Sequence, residues 1–91
     1  MIDDVLEELE RAKQLHPKWP LDPFHAAAII GEEYGELIQA ILQLTYEYPK
    51  SDLEDVRREA VQTAAMAIRF LENFDHYYYD ESKQYDPMAT D

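Results

Sequence analysis

Cysteine is absent from this chain, which excludes disulfide bonds, a thiolate zinc site and a cysteine nucleophile. Long apolar runs are absent too, and none approaches the length that crosses a membrane. The chain begins Met-Ile-Asp-Asp, which is acidic where a secretory signal would be basic. We therefore expect a cytoplasmic protein with no membrane partner.

Positive charge is scarce. The 8 Lys and Arg residues stand against 20 Asp and Glu, so the formal net charge is −12 at pH 7. Duplex DNA and bulk RNA are bound largely through neutralisation of their phosphates, and this charge balance argues against a nucleic-acid polymer as partner. A small phosphorylated ligand that is held through a metal ion stays compatible with it, because the cation supplies the positive charge.

The size and composition together favour helices. A chain of 91 residues forms a single domain with a small core, and no disulfide or metal finger is available to reinforce that core. Yet 46% of the residues are hydrophobic, while only two are glycine. We predict an all-α fold, a bundle of three main helices per chain that is completed by oligomerisation. The helical domain is expected to cover residues 1–79, and residues 80–91 are expected to form a flexible acidic tail.

Apolar residues at helical spacing define the first two helices. The first is predicted from Asp3 to about Leu15, and the second from Pro23 to about residues 47–48. Between them, residues 16–22 contain two prolines and are predicted to form an ordered loop.

The third helix is predicted to open on Ser51-Asp52-Leu53-Glu54, a capping-box pattern with acids in the first turn. It is expected to fray after Phe74, and Tyr77 would then pack on the bundle or on a neighbouring subunit. Arg58 and Arg69 are expected on the exposed face, in surface ion pairs. The predicted apolar stripe comprises Leu53, Val56, Ala60, Ala64, Ala67, Leu71 and Phe74.

The second helix is apolar nearly all round. Ile38 and Leu42 lie opposite its main stripe, and Ile41 lies on a flank. Such a helix is buried on more than one face, and two other helices of this length cannot cover it. We therefore predict that a second subunit covers its back face, in a homodimer or homotetramer. The main stripe comprises Ala26, Ile29, Ile30, Leu37, Ala40 and Leu44.

One carboxylate breaks the amphipathic pattern. Glu33 lies near the centre of the main stripe, with Glu36 one turn further on and Glu32 towards the same side. A buried carboxylate must pair, take up a proton or bind a cation, and no Lys or Arg lies within four positions of Glu33. An antiparallel third helix would place Glu59 opposite Glu36. A divalent cation relieves this arrangement most directly, and oxygen-only donors favour Mg²⁺ or Mn²⁺ over zinc.

Two strings of residues carry a resemblance to a known family. They are Glu32-Glu33-Tyr34-Gly35-Glu36-Leu37, followed by Gln39-Ala40, and Arg58-Glu59-Ala60-Val61-Gln62. With their helix order, they resemble the MazG-like all-α nucleoside triphosphate pyrophosphohydrolases, especially the small phage-type and bacterial members, over roughly residues 15–75. The resemblance implies Mg²⁺-dependent hydrolysis of a (d)NTP to the monophosphate and pyrophosphate. It also implies that Glu33, Glu36 and Glu59 are metal ligands and that Glu32 is an additional acid.

Gln62 departs from the family pattern, which has aspartate at this position. An amide offers the cation one neutral oxygen, so the resemblance implies a weaker ligand here. Glu32 or Glu36 would hold a second metal or position the attacking water. The alternative hypothesis is a helical oligomerisation or nucleotide-binding module with little or no turnover, and Gln62 is the residue that favours it.

Four further residues are candidates for substrate contacts. Lys18 is a candidate phosphate contact, and Trp19 in the same loop either stacks on a base or packs between helix ends. His25 lies early in the second helix, on the side of Glu32 and Glu36, and contacts ligand or packs locally. Gln39 is a polar candidate near Glu36.

Overall fold

The computed structural model describes residues 1–79, and the predicted tail at 80–91 lies outside the described residues. Within residues 1–79 the chain is all-helical and contains no strand, as predicted. None of its helices combines the length and hydropathy that a membrane crossing requires. The elements are α1 (Ile2–Leu15), α2 (Pro23–Tyr46), α3 (Leu53–Glu72) and a 3₁₀ turn (Phe74–His76).

Carboxylate caps begin the two longer helices. Asp22 accepts a hydrogen bond from Phe24 N at 2.9 Å, with Pro23 at the first helical position. The capping box of α3 lies one residue later than predicted, because Asp52 takes the cap in place of Ser51. Asp52 Oδ1 accepts from Asp55 N at 2.8 Å, and Asp55 Oδ2 accepts from Asp52 N at 3.0 Å. A charged carboxylate is a stronger acceptor than a hydroxyl, which is a physical reason for the shift.

Helix α3 lies in the middle of the molecule and contacts both α1 and α2. Ion pairs link matching ends of α1 and α3, from Arg57 to Asp4 at 2.6 Å and from Lys13 to Glu72 at 3.5 Å. These two helices therefore run in the same direction, and α2 runs antiparallel to α3. The Arg57 guanidinium also lowers the pKa of Asp4 through a hydrogen bond and its charge. Since α1 and α2 both pack on α3, a groove is left between them.

The core joins α1 to α3. Val5 and Leu9 of α1 are buried against Ala65 and Met66 of α3. Partly buried residues surround this cluster: Ala12, Trp19, Ile29, Ile30, Val61 and Ile68.

The predicted apolar stripe of α3 is wrong. Leu53 and Leu71 are 75% and 65% exposed, and Ala60 and Ala64 are exposed as well. The buried face is centred on Ala65 and Met66, with Arg69 on the same side. Helix α3 packs on α1 and α2 through a face that contains both apolar and polar residues. A prediction based on apolar residues alone therefore selects a face that is largely exposed.

The prediction that Arg69 lies on the exposed face is also wrong, because this residue is only 4% exposed. Its NH2 donates to His16 O at 2.6 Å and its NH1 to Ala12 O at 3.4 Å. Its Cζ lies 4.8 Å from the centroid of the Trp19 ring. The final carbonyls of a helix lack intrahelical donors, and the guanidinium supplies one to His16 O, whereas Ala12 O already accepts from His16 N at 2.8 Å. Burial lowers the pKa of Arg69.

Tyr77 packs on its own bundle, which decides between the two predicted possibilities. The residue is 7% exposed, and its hydroxyl accepts from Trp19 Nε1 at 2.8 Å and donates to Phe70 O at 2.9 Å. Tyr78 N donates to Leu21 O at 3.0 Å. The segment after α3 therefore fastens the loop at residues 16–22 to the body of the molecule, and that loop forms a wall of the groove.

Helix α2 exposes a large apolar face within the described chain. Phe24 is 86% exposed and Leu42 49% exposed, and Ile38, Ile41 and Tyr46 are exposed with them. Residues 1–79 of the same chain thus leave exposed the back face that was predicted to need another subunit. Its coverage by a second copy stays a prediction.

Candidate functional site

Three carboxylates converge where α2 packs on α3. Glu33, Glu36 and Glu59 each offer one oxygen, and these oxygens all lie within 4.8 Å of one another. Spacing of three residues puts Glu33 and Glu36 on one face of α2, and the antiparallel course of α3 brings Glu59 opposite them. Glu33 and Glu59 are half-buried, whereas Glu36 is exposed. The predicted juxtaposition of these three side chains is confirmed.

The cluster is electrostatically strained. Burial raises the pKa of Glu33, and the nearby charges of Glu36 and Glu59 raise it further. Burial also raises the pKa of Glu59, and Glu36 adds to the effect through hydrogen bonding and charge. None of the ion pairs formed within residues 1–79 includes one of these three carboxylates. The charge of Arg58 offsets part of the effect on Glu59, but no Lys or Arg within residues 1–79 forms an ion pair with the cluster.

Gln62 bridges two of the carboxylates. With the amide nitrogen directed at the cluster, Nε2 donates to Glu33 Oε2 at 3.2 Å and to Glu59 Oε2 at 3.0 Å. The amide oxygen then points away from the cluster. To act as the predicted metal ligand, Gln62 must turn its amide so that Oε1 faces inward, which is a rotation about one soft torsion.

The donor set fits a hard divalent cation. Two oxygens on opposite sides of Mg²⁺ are about 4.2 Å apart, because each Mg–O distance is about 2.1 Å. Oxygens at adjacent positions are about 3.0 Å apart, so the three carboxylate oxygens, which lie within 4.8 Å of one another, would draw together around the ion. Carboxylate and amide oxygens without histidine or cysteine suit Mg²⁺ or Mn²⁺. These residues could therefore hold such an ion.

A cavity of about 510 Å³, which we call the aromatic groove, opens on one side of the cluster between α1, the loop and α2. Trp19, Ile29 and Met66 give it apolar surface, and Arg69 lies among its lining residues. It collects most of the predicted site residues outside the cluster and meets the cluster at one end. Those residues are Lys18, Trp19, His25 and Glu32, with Glu33 and Gln62 at the shared end.

A second cavity of about 430 Å³, which we call the polar pocket, lies on the other side of the cluster. Glu36 and Glu59 border it, together with Gln39, Gln43, Lys50, Ser51 and Asp55. Gln39 thus lines a different cavity from Lys18, Trp19 and His25. The structure divides the predicted substrate contacts between the two sides of the carboxylate cluster.

Several lining residues escaped the sequence analysis. Arg11 lines the aromatic groove and is held by Glu8, with distances of 2.9 Å and 2.6 Å from its Nε and NH2 to the carboxylate. The spacing of this pair is typical of an ordinary surface ion pair, so the sequence offered no distinguishing signal. Ser51 is predicted only as part of the cap of α3, and no sequence pattern marks Lys50 as a site residue.

Comparisons with protein-family models, with curated proteins and with solved structures find no match to this chain. The carboxylate cluster and the two cavities are therefore the features that indicate a function.

Without divalent cations, we expect the free energy of unfolding to fall as the pH rises through the raised pKa values of Glu33 and Glu59. The ordinary glutamate pKa is 4.5. A carboxyl group whose pKa is raised by folding contributes its full stability below the unfolded-state pKa and loses it above the folded-state pKa. Urea unfolding in a chelator, from about pH 5 to about pH 8, measures this slope and stays above the range in which acids such as Asp4 titrate.

Glu33→Gln is the matched control for this titration. Its stability should depend less on pH, and saturating Mg²⁺ should flatten the wild-type profile in the same way. An unchanged slope in Glu33→Gln would show that the cluster is not the source of the pH dependence.

Proposed function

We propose that this protein is a Mg²⁺- or Mn²⁺-dependent nucleoside triphosphate pyrophosphohydrolase. The observation that carries the proposal is the convergence of Glu33, Glu36 and Glu59 at the junction of two cavities. Unpaired carboxylates from two facing helices are the usual means of holding a cation that binds phosphates. The resemblance at residues 32–37 and 58–62 agrees with this chemistry.

In the proposed reaction, a water oxygen bonds to the α-phosphorus while the bond from that phosphorus to its bridging oxygen breaks. The bridging oxygen leaves with pyrophosphate, and the water proton passes to a carboxylate, for which Glu32 and Glu36 are the candidates. The bound cation would offset charge on the phosphate oxygens and help to orient them. Glu33 and Glu59 would hold the cation, and Gln62 would keep these two side chains in register.

The aromatic groove suits the nucleoside part of such a substrate. Trp19 offers an aromatic surface that the contact with Arg69 keeps in place, and His25 lies on the α2 side. Lys18 and Arg11 bring positive charge to a predominantly acidic protein. A triphosphate is attracted by these groups and by the cation, so the net charge of −12 does not prevent its binding.

A second copy of the chain is the proposed cover for the exposed apolar face of α2. Phe24, Ile38 and Leu42 on that face are large hydrophobic residues, and contiguous apolar surface of this kind marks interaction sites. We expect light scattering after size exclusion to give the mass of a homodimer or homotetramer. A folded species with the mass of one chain would contradict this expectation.

Gln62 supports a second candidate function, a nucleotide-binding or oligomerisation module with little turnover. With its amide nitrogen turned inward, Gln62 would donate to both Glu33 and Glu59, and this orientation would stabilise the cluster without a cation. In that case the cation would still stabilise the fold, but pyrophosphate would not be released.

Pyrophosphate release from a panel of NTPs and dNTPs tests the proposal, with Mg²⁺, with Mn²⁺ and with a chelator. We expect cation-dependent release of one pyrophosphate per monophosphate formed, and its loss in Glu36→Gln. Thermal stabilisation by the cation without release would favour the module. Neither release nor stabilisation would rule out the metal-dependent enzyme.

A further inference from the structure

The polar pocket contains a buried hydroxyl that residues 1–79 leave unsatisfied. Ser51 is 2% exposed, and its Oγ has no hydrogen-bond partner within the described chain. Burying a hydroxyl without a partner destabilises a protein. A ligand atom in the pocket would supply the missing hydrogen-bond partner. The unpartnered hydroxyl of Ser51 therefore points to a ligand independently of the acidic cluster.

Apart from its carboxylates, the polar lining of the pocket consists of residues that can donate hydrogen bonds: Gln39, Gln43, Lys50 and Ser51. Lys50 Nζ lies 2.9 Å from Glu47 Oε1 in an exposed pair, which costs little to exchange for a ligand. Gln39 and Gln43 add two amides at neighbouring turns of α2. These groups suit an acceptor-rich, anionic ligand.

The one further acid in the lining, Asp55, is already compensated. Arg58 NH2 donates to its Oδ1 at 2.6 Å, and the backbone N of Asp52 donates to its Oδ2 at 3.0 Å. The remaining negative charge belongs to Glu36 and Glu59, the groups that would hold a cation. An oxyanion that reaches from the cation to Lys50 would therefore satisfy both sides of the pocket.

We propose that the polar pocket binds the distal phosphates of the nucleoside triphosphate and then the pyrophosphate product, with Lys50 Nζ as a direct contact and Ser51 Oγ as a second contact once its side chain turns towards the ligand. This inference rests on the proposed function and deepens it. The substrate would lie across the carboxylate cluster, with its nucleoside in the aromatic groove and its leaving group in the polar pocket.

Calorimetric titration of the full chain with inorganic pyrophosphate in the presence of Mn²⁺ tests this assignment. We expect Lys50→Met to weaken pyrophosphate binding about tenfold, since it removes a charge-assisted hydrogen bond. Ser51→Ala should weaken it about threefold or more, because a neutral hydroxyl contributes less. The matched control is Lys13→Met, which removes a lysine that lines neither the aromatic groove nor the polar pocket and should leave pyrophosphate binding unchanged.

The stability of Ser51→Ala without ligand separates a binding role from a structural one. Removal of an unpartnered hydroxyl should leave the urea midpoint unchanged or raise it. A clear fall in the midpoint would assign Ser51 to the fold and overturn its place in the site.

The binding measurement does not depend on turnover, so it separates this inference from the proposed function. Wild-type turnover with undiminished pyrophosphate binding in Lys50→Met and Ser51→Ala would overturn the pocket assignment alone. Weaker binding in both variants, without turnover of any nucleotide, would support the pocket and overturn the enzyme. A wild-type protein that does not bind pyrophosphate would overturn the assignment, and so would equal weakening in Lys13→Met.

Discussion

Glu59→Gln is expected to reduce pyrophosphate release by at least about a hundredfold, because even residues behind the ligands of a metal commonly contribute ten- to a hundredfold. The amide keeps the size of the side chain but loses its charge at the point where α3 meets Glu33 and Glu36. Stabilisation by Mn²⁺ in thermal unfolding should be lost together with turnover. Loss of both turnover and Mn²⁺ stabilisation would have one cause, the loss of cation binding.

The variant is not expected to fail by unfolding. Glu59 is one of three mutually repelling carboxylates, and burial raises its pKa. Removal of its charge should leave the cation-free protein as stable as the wild type, or more stable. The control is Glu54→Gln, the same chemical change on an exposed residue in the first turn of α3, which lies outside the aromatic groove and the polar pocket. Equal activity in Glu59→Gln and Glu54→Gln would remove Glu59 from the site.

Arg69→Met is expected to lower the free energy of unfolding by about 2 kcal/mol, the largest stability effect we expect from a single residue here. The change removes the hydrogen bonds to Ala12 O and His16 O and the stacking on Trp19. Hydrogen bonds from a charged group stabilise by about 1.5–3 kcal/mol each, and a cation–π contact by about 0.5–1 kcal/mol. Relief from burying a charge offsets part of this loss, since burial already lowers the pKa of Arg69.

Urea unfolding followed by circular dichroism measures the change, with Arg58→Met as the control. Arg58 pairs with Asp55 on the exposed surface of the same helix, where such a pair contributes about 0.5 kcal/mol or less. A similar small loss in both variants would show that the end of α1 does not depend on Arg69.

The sequence predicted the helices well because their signals are local. Prolines and carboxylate caps set the bounds of α2 and α3, and the position of Glu33 within an apolar stripe predicted its partial burial. The convergence of Glu33, Glu36 and Glu59 followed from one further assumption, the antiparallel pairing of α2 and α3. These steps needed only helical geometry.

The buried face of α3 was not accessible to the same reasoning. An arginine counts as a surface residue in any apolar pattern, yet Arg69 is buried by carbonyls at the end of another helix. The wall of the aromatic groove includes the loop, and Tyr77 holds that loop by a contact with Trp19 across 58 positions. Contacts over such distances in sequence leave no local pattern. Gln39 lies near Glu36 as predicted, but the sequence did not show that Lys18, Trp19 and His25 line a different cavity.

The position of Trp19 has a practical consequence, because it is the only tryptophan in the chain. Its indole lines the aromatic groove, with a guanidinium near its ring and the Tyr77 hydroxyl at its nitrogen. Indole emission is sensitive to the polarity and charge around the ring. The molecule thus contains a single indole reporter in the wall of its aromatic groove, and the proposed entry of a nucleoside would be followed by tryptophan fluorescence without an attached label.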